Sequence, residues 1–164
     1  MNGIKQGRGL KVFGPDFVVN RKKSNQVNRA SDFNAHTIAE FRRNHGKVGG
    51  YFEGAPLVLL HTIGARTRRL HVVPVMYLRD GERYVVFASK GGAPRNPDWY
   101  HNLKANPDVQ IEVGDDTFDV RAKEMIGAEH DRLYKHQSEL YPQFADYQRK
   151  TKRTIPVIAF SKKP

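Results

Sequence analysis

The chain has 164 residues, 38% of them hydrophobic, with a formal net charge of +11 and no cysteine. This length suits one domain with one core, and the lack of cysteine excludes disulfides, thiolate catalysis and cysteine-ligated zinc and favours an intracellular setting. No apolar run approaches the roughly 18–20 residues of a membrane span, and residues 1–19 lack the apolar stretch of a signal peptide, so we expect a cytoplasmic protein that can also lie peripherally on the inner face of the cell membrane.

The N-terminal residues 1–29 have the composition of a basic, flexible arm outside the core. Residues 1–30 hold seven Lys or Arg and one Asp, a charge of +6, whereas the other 21 Lys or Arg and 16 Asp or Glu give +5. Such a field attracts nucleic acid, anionic lipid or a polyanionic cofactor. A single domain is then expected over residues 30–164.

The next segment has the pattern of a basic amphipathic helix, which Ser31 would cap and Gly46 would end. Its apolar face consists of four residues at helical spacing, Phe33, Thr37, Ile38 and Phe41. Its other face carries Arg42, Arg43 and Lys47. Such a helix either packs on a sheet, which is the commoner case, or lies on a membrane surface.

Three strands are predicted next, over residues 57–62, 70–79 and 83–89. Asp80-Gly81, between the last two, is a strong hairpin signal because tight hairpin turns need positive φ. Pro74 cannot donate to a strand ladder, so a bulge or a sheet edge is expected there, and bulges often lie beside active sites.

The second half of the chain mixes helices with further strands. A helix should begin at Asn96, as its cap, and Pro97. Strands are then predicted over 109–113 and 118–122, helices over 128–140 and 144–150, and a final strand over 155–160, which Pro156 would place near an edge. The hairpin-linked strands predict a mixed α+β, mainly β fold, a small antiparallel barrel with helices packed outside.

The usual catalytic motifs are missing from the sequence. The seven His form no H-E-x-x-H motif or other metal site, so no metal is expected. There is no G-x-S-x-G elbow, no Walker A sequence and no G-x-G-x-x-G fingerprint. Hydrolase, kinase and nicotinamide-Rossmann functions are therefore disfavoured.

What the sequence does contain is a candidate anion-binding surface beside aromatic residues. The stretch from Gly54 to Arg79 contains four Arg and no Asp or Glu. A glycine-rich turn after Ser89 and Lys90 can present backbone N–H groups to an anion, and the following helix start favours negative charge. Aromatic residues accompany these features: Trp99 and Tyr100 on that helix, and Tyr141, Phe144 and Tyr147 as a candidate lid.

Several ordered motifs make this sequence similar to a known family. They are Gly64-x-Arg66-Thr67, Pro74, Ala88-Ser89-Lys90-Gly91-Gly92, Asn96-Pro97-x-Trp99-Tyr100 and Arg153-Thr154-Ile155-Pro156. Over roughly residues 33–160 the chain resembles the deazaflavin-dependent nitroreductases of actinobacteria. That resemblance implies a split β-barrel akin to proteins that bind flavin mononucleotide. It also implies coenzyme F-420, a deazaflavin with a phosphate and an oligoglutamate tail, which passes a hydride to a quinone such as menaquinone or to a nitro-aromatic acceptor.

The resemblance also implies roles for individual residues. The phosphate and tail would be held by Ala65, Arg66 and Thr67. The deazaflavin would be enclosed by His71, Val72, Val73, Pro74, Val75, Phe87, Ala88, Ser89, Lys90, Asp98, Trp99, Tyr100 and Asn102. The acceptor would face Ser89, Tyr141, Phe144 and Tyr147, and the hydroxyls of Ser89, Tyr141 and Tyr147 would orient it and help its protonation.

Two rival functions and three departures from the family pattern accompany this hypothesis. The rivals are an oxidoreductase of the same fold that uses flavin mononucleotide, and a non-enzymatic basic module that binds membranes or nucleic acid. The enzyme hypothesis expects no nucleic-acid partner, and any membrane contact would use the arm and the first helix.

The departures concern the basic turn, one ring-lining position and the lid. Gly64-Ala65-Arg66 stands where the family often has a Gly-Arg-Lys turn, His71 stands where a cation is common, and Phe144 stands where the family has a tyrosine. We therefore expect weak nitroimidazole reduction beside quinone reduction.

Overall fold

A computed structural model describes residues 23–164, with side chains from residue 31 onward. Its strands are β1 Leu57–Ile63, β2 Leu70–Met76, β3 Leu78–Asp80, β4 Arg83–Phe87, β5 Asp108–Val113, β6 Asp116–Met125 and β7 Val157–Lys162. Its helices are α1 Lys23–Arg43, α2 Asp98–Ala105, α3 Gly127–Leu140 and α4 Gln143–Lys150, with short 3₁₀ turns at Gly50–Phe52 and Lys90–Gly92.

The strands form one sheet in the order β2-β1-β5-β6-β7-β4-β3, and every pairing is antiparallel. Its two edge strands, β2 and β3, follow each other in the chain with only Tyr77 between them. The Tyr77 N–H donates to Pro56 O over 3.0 Å. One continuous segment therefore pairs with both ends of the sheet and curls it into a split barrel, as the sequence predicts.

Two apolar clusters cover the two faces of this sheet. Along β1, Leu57 and Leu59 belong to one cluster, and Val58 and Leu60 belong to the other. Neighbouring side chains on a strand point to opposite faces, and all four are at most 3% exposed. The continuous apolar run is therefore a strand that is buried on both sides.

Two features of the hairpin region refine the sequence prediction. The strand expected over 70–79 is interrupted at Tyr77, where the chain changes from pairing with β1 to pairing with β4. Pro74 lies on the edge strand β2, opposite Leu59, so the expected edge position is confirmed. Asp80 pairs with Arg83, and Gly81, with a φ of 61°, opens the turn between them.

Two other predictions are wrong. The last strand, β7, lies inside the sheet between β6 and β4, because Pro156 precedes it and does not interrupt its ladder. The Pro156 carbonyl instead accepts the Ala88 N–H over 2.9 Å. Asn96 does not cap α2, since Pro97 takes the cap position and the Asn96 side chain binds Arg153.

Helix α1 packs against the barrel rather than standing free. It begins at Lys23, eight residues before the predicted Ser31 cap, and Phe41 and Thr37 are buried in its barrel-facing side. Arg42, expected on an outer basic face, instead pairs with Glu112 on β5. Most of the predicted arm, residues 1–22, lies outside the described residues. Over residues 23–164 no helix has both the length and the apolarity needed to cross a membrane.

Candidate cofactor site

A cavity of about 780 Å³ opens between the β1–β2 turn, the end of β4, and helices α2 and α4. Most of the predicted cofactor residues line it, namely Ala65, Arg66, Thr67, His71, Val72, Val73, Pro74, Val75, Phe87, Ser89, Lys90, Asp98, Trp99 and Asn102. The predicted acceptor residue Phe144 lines it as well. Residues widely separated in the sequence are thus gathered around one space.

The basic turn between β1 and β2 is held in place by Asn102 on α2. The Asn102 side-chain oxygen accepts the Ala65 N–H over 2.9 Å, and its amide donates to Thr62 Oγ1 over 3.1 Å. Asn102 is 8% exposed and Thr62 is 1% exposed, so this bond bridges α2 and β1 inside the protein. Within the turn, the Gly64 N–H donates to Arg69 O over 2.7 Å, and Arg68 takes a φ of 63°.

The β4–α2 loop, residues 88–97, forms the second basic wall. Lys90, Gly91 and Gly92 follow one another with φ values of 47°, 64° and 84°, which is unusual for the lysine. A Cβ on Gly92 would lie 2.8 Å from Tyr147 O, so only glycine fits against α4 there. This backbone presents Ser89 and Lys90 to the cavity.

Helix α2 contributes one side of the cavity, and Tyr100 lies outside it. Its Asp98, Trp99 and His101 line the cavity, whereas the Tyr100 hydroxyl donates to Glu124 Oε1 over 2.9 Å. Burial, and then this hydrogen bond, raise the pKa of the Tyr100 phenol. Ala88, also expected at the cofactor, is fully buried in the core and does not line the cavity.

The aromatic wall consists of Phe87 and Phe144, whose ring centroids lie 5.8 Å apart. Tyr147 packs behind Phe144, with centroids 5.1 Å apart, and does not line the cavity. Tyr141 lies in a separate cleft beside Tyr77. It falls between α3 and α4 with a φ of −134°, so its three-residue spacing from Phe144 does not put it on the same helical face. The candidate lid is therefore not assembled around the cavity.

The cavity lining carries more positive than negative charge. Among the lining residues Arg66 and Lys90 are cationic and Asp98 is a carboxylate. An excess of cations in a partly enclosed site favours an anionic ligand. The phosphate and carboxylates of coenzyme F-420 fit this charge.

The remaining wall suits a flat ring. The cavity-lining residues Val72, Val73, Pro74 and Val75 lie on β2. Among the described residues this edge strand pairs with β1 alone, so its outer side leaves backbone groups without a ladder partner there. These groups can bind the polar rim of a heterocycle, while Trp99 and Phe87 offer flat apolar surfaces. A planar, anionic cofactor therefore fits the residues present.

Sequence reasoning did not identify some residues that build the site. Thr62 fixes Asn102 beside the basic turn, and His101 lines the cavity from α2. Thr62 lies in an apolar strand and resembles any β-branched strand residue. Gly64 differs from both, because it belongs to a motif named in the sequence and opens a turn between two predicted strands.

A split barrel with a basic, aromatic-walled cavity along an open strand edge defines a protein that holds a planar anionic cofactor. Residues 34–162 match the sequence model of the family described as F420H(2)-dependent quinone reductase. The chain therefore belongs to that family, and coenzyme F-420 is its cofactor. The resemblance noted in the sequence is confirmed.

Similar proteins agree with this assignment. The F420H(2)-dependent quinone reductase Rv1261c of Mycobacterium tuberculosis is 43% identical over 129 residues, 76% of this chain and 87% of the relative. A solved F420-H2 dependent reductase, FDR-A, is 42% identical with a TM-score of 0.60, covering 65% of this chain and 94% of its own. Another solved structure, described as a domain-swapped dimer, is 35% identical with a TM-score of 0.62, covering 85% of this chain and all of its own.

Proposed function

We propose that this quinone reductase transfers a hydride from reduced coenzyme F-420 to menaquinone. The observation that supports this proposal best is that Arg66, Lys90 and Trp99, on three separate elements, line one cavity. In that cavity cations, an open strand edge and aromatic faces lie together. A polyanionic, planar hydride carrier needs all three.

In this proposal each wall has a distinct task. Arg66, with the backbone of Ala65 and Thr67, holds the phosphate and tail, where charge-assisted hydrogen bonds are strong. The backbone of 71–75 orients the ring, and Lys90 adds charge from the opposite side. When bound, the reduced coenzyme supplies the hydride, and the protein supplies placement and electrostatics.

The acceptor is proposed to lie against Phe87 and Phe144, whose rings can stack on a flat quinone. Reduction of a quinone to a hydroquinone takes up one hydride and one proton. Ser89 lines the cavity, and in this proposal its hydroxyl donates a hydrogen bond to a quinone oxygen as negative charge develops there. Tyr141 and Tyr147 lie away from the cavity, so Ser89 takes the role in this proposal that the sequence hypothesis divides among three hydroxyls.

Parallel anaerobic titrations with coenzyme F-420 and with flavin mononucleotide test the cofactor. Trp99 is the one Trp of the chain and lines the cavity, so its fluorescence reports directly on the site. We expect tight binding of the deazaflavin, weak binding of the flavin, and oxidation of the reduced deazaflavin on addition of menaquinone. Tighter binding of the flavin, or no turnover with any quinone, would contradict the proposal.

Acceptor choice is proposed to depend on Phe144, which lacks a hydroxyl. We expect the native chain to reduce quinones but nitroimidazoles only weakly. We expect Phe144→Tyr to raise the nitroimidazole rate several-fold by offering a hydrogen-bond donor to the nitro group. Steady-state rates of both variants with both acceptors measure this effect, and unchanged rates for both acceptors would remove Phe144 from the acceptor site.

Access to menaquinone is proposed to involve peripheral contact with an anionic membrane. Because α1 packs its apolar face on the barrel, this contact is assigned to the basic residues 1–22 and to the exposed Arg43. The full chain should sediment with vesicles that contain anionic lipid, more weakly in high salt, and not with neutral vesicles. Equal sedimentation with both vesicle types would argue against it.

A further inference from the structure

Arg153 lies between α4 and β7 and makes its side-chain hydrogen bonds to the β4–α2 loop. Its Nε donates to Ala93 O over 2.9 Å, and its Nη2 donates to Ser89 O over 2.8 Å. Its Nη1 donates to Ala88 O over 3.2 Å and to Asn96 Oδ1 over 2.6 Å. One guanidinium thus fixes both ends of the loop that carries Ser89 and Lys90.

The acceptors show that Arg153 is used for geometry rather than for an ion pair. All four are neutral oxygens, and burial lowers the pKa of the guanidinium. A planar guanidinium presents its donors in a fixed fork that a lysine ammonium cannot reproduce. Four bonds from three separate nitrogens therefore require arginine specifically.

The backbone of Arg153 is held in turn by α4. Gln148 Nε2 donates to Arg153 O over 2.7 Å, and Gln148 Oε1 accepts the Ile155 N–H over 3.0 Å. Helix α4 also carries Phe144, which lines the cavity. The chain of contacts runs from the aromatic wall through Gln148 and Arg153 to the basic wall.

The β4–α2 loop has a conformation that needs such support. Lys90 adopts a left-handed backbone, which a residue with a Cβ rarely takes. The Ser89 carbonyl, which accepts from Arg153, also accepts the Gly92 N–H over 2.9 Å. In a trans peptide the C=O and N–H point in opposite directions, so the Lys90 N–H faces away from Arg153. The guanidinium thereby sets the direction of the Lys90 peptide group.

We propose that Arg153 is a positioning residue for the cofactor site. Ser89 and Lys90 line the cavity whereas Arg153 does not, so it acts through the β4–α2 loop. It holds the Lys90 backbone in its strained form and fixes the basic wall relative to the aromatic wall on α4. The effect on cofactor binding rests on the proposed function, whereas the effect on the loop does not.

Arg153→Lys and Arg153→Ala test the proposal, with Arg121→Lys as the control. Arg121 makes an exposed pair with Asp108 across β5 and β6, at 3.2 Å, and neither residue lines the cavity, so its variant changes an arginine without touching the loop. The first readout is amide hydrogen exchange of the β4–α2 loop in the cofactor-free protein. The second is the Kd of coenzyme F-420 from Trp99 fluorescence, together with kcat and the KM for each substrate.

We expect both Arg153 variants to exchange the loop amides faster and to raise the Kd and KM for the cofactor by about 10- to 100-fold. The acceptor KM should change less. Added methylguanidinium should lower the Kd of Arg153→Ala while leaving the native protein and Arg121→Lys unchanged. This rescue would not occur if the substitution only destabilised the fold.

Two results would overturn the proposal. One is amide hydrogen exchange of the β4–α2 loop in Arg153→Lys at the same rates as in the native protein. This result is measured without cofactor, so it overturns the proposal whether or not the proposed function holds. The other is a lower Tm in Arg153→Lys with a cofactor Kd within twofold of the native value. If Arg153→Ala does not fold, Arg153→Lys decides by these same criteria.

Discussion

At the scale of single residues, Gly64 is the tightest constraint in the basic turn. A Cβ there would lie 2.3 Å from Thr67 Oγ1 and 3.0 Å from His71 Nε2. Rotation of Thr67 Oγ1 away from this Cβ would break the hydrogen bond that it accepts from the Arg69 N–H over 3.2 Å. We expect Gly64→Ala to open the turn and to raise the Kd of coenzyme F-420 by about tenfold or more, measured by Trp99 fluorescence.

Gly49 supplies the matched control for that substitution. Its φ is −92°, which any residue can adopt, and a Cβ would come no closer than 3.6 Å to Glu40 Oε2. Gly49→Ala should therefore leave the cofactor Kd unchanged. Equal effects of the two substitutions would show that the geometry of the basic turn does not govern binding.

Arg66 and Lys90 lead to a second prediction at this scale. Each places a cation at the cavity from a different element, so each should contact a different anionic part of the cofactor. We expect Arg66→Ala and Lys90→Ala to weaken binding by about 1–3 kcal/mol each, as for one lost charge-assisted contact. The Kd measured at two salt concentrations checks this, with Arg121→Ala as the control. Unchanged affinity in both variants would remove them from the site.

The site residues that could be predicted are those with a local signal. Arg66 lies in a stretch without carboxylates, and Lys90 precedes two glycines, so the sequence predicts that both line an anion-binding surface. Arg153 belongs to one of the motifs that carry the family resemblance, but no local pattern indicates its role, because its four acceptors lie about sixty positions earlier in the chain. Tyr100 is the reverse case. Its position beside Trp99 in the sequence indicates the cofactor site, whereas in the helix its hydroxyl points to Glu124.

At the scale of elements, α1 is tied to the sheet by an ion pair that leads to a pH prediction. Arg42 binds both carboxylate oxygens of Glu112, through Nε at 3.0 Å and Nη2 at 2.6 Å, and His61 Nε2 lies 2.7 Å from the same carboxylate. The hydrogen bond from Arg42, and next that from His61, hold the pKa of Glu112 below its ordinary value against the opposing effect of burial. This pair should therefore stabilise the protein in a pH-dependent way.

The sign of that dependence follows from linkage. A carboxyl group whose pKa is lowered in the folded state adds stability above its unfolded pKa, about 4.3, and loses it as the pH falls through that value toward the folded pKa. We expect the native protein to lose more free energy of unfolding between pH 6 and pH 3.5 than Glu112→Gln loses. For a partly solvated pair the difference should be about 1 kcal/mol, measured by urea unfolding.

The control for this experiment is Glu53→Gln. Glu53 is exposed and forms no ion pair within the part of the chain that the structure describes. Its variant should show the same loss of stability with acid as the native protein. A Glu112→Gln protein as acid-sensitive as the Glu53→Gln protein would mean that the pair does not contribute to stability.

Elements could be predicted where the pattern is local, and their ends could not. The apolar run of β1 and the alternation of β5 were sufficient to place both strands. Strand β6 extends to Met125, beyond the predicted 118–122, because its second half pairs with β7. Pairing between distant segments also decides that β7 is an interior strand, and no local pattern encodes it.

At the scale of the whole molecule, the cavity and the closure of the barrel depend on the same segment. Residues 71–75 line the cavity, and their continuation through Tyr77 into β3 joins the two edges of the sheet. The other cavity walls come from the β1–β2 turn, from the end of β4 with the loop after it, and from α2 and α4. A ligand in the cavity therefore contacts the edge strand β2, the end of β4 and two helices at once, and its binding energy should stabilise the whole domain.

This arrangement gives a quantitative prediction for thermal unfolding. A cofactor that binds only the folded state, at 100 times its Kd, should add about 2.7 kcal/mol to the free energy of unfolding, which raises the Tm of a domain this size by about 5–10 °C. Because the site spans both ends of the sheet, calorimetry should show one transition that moves as a unit. At the same cofactor concentration Arg66→Ala should show a clearly smaller shift. Equal shifts in both proteins, or a second transition that does not move, would show that the ligand stabilises only part of the barrel.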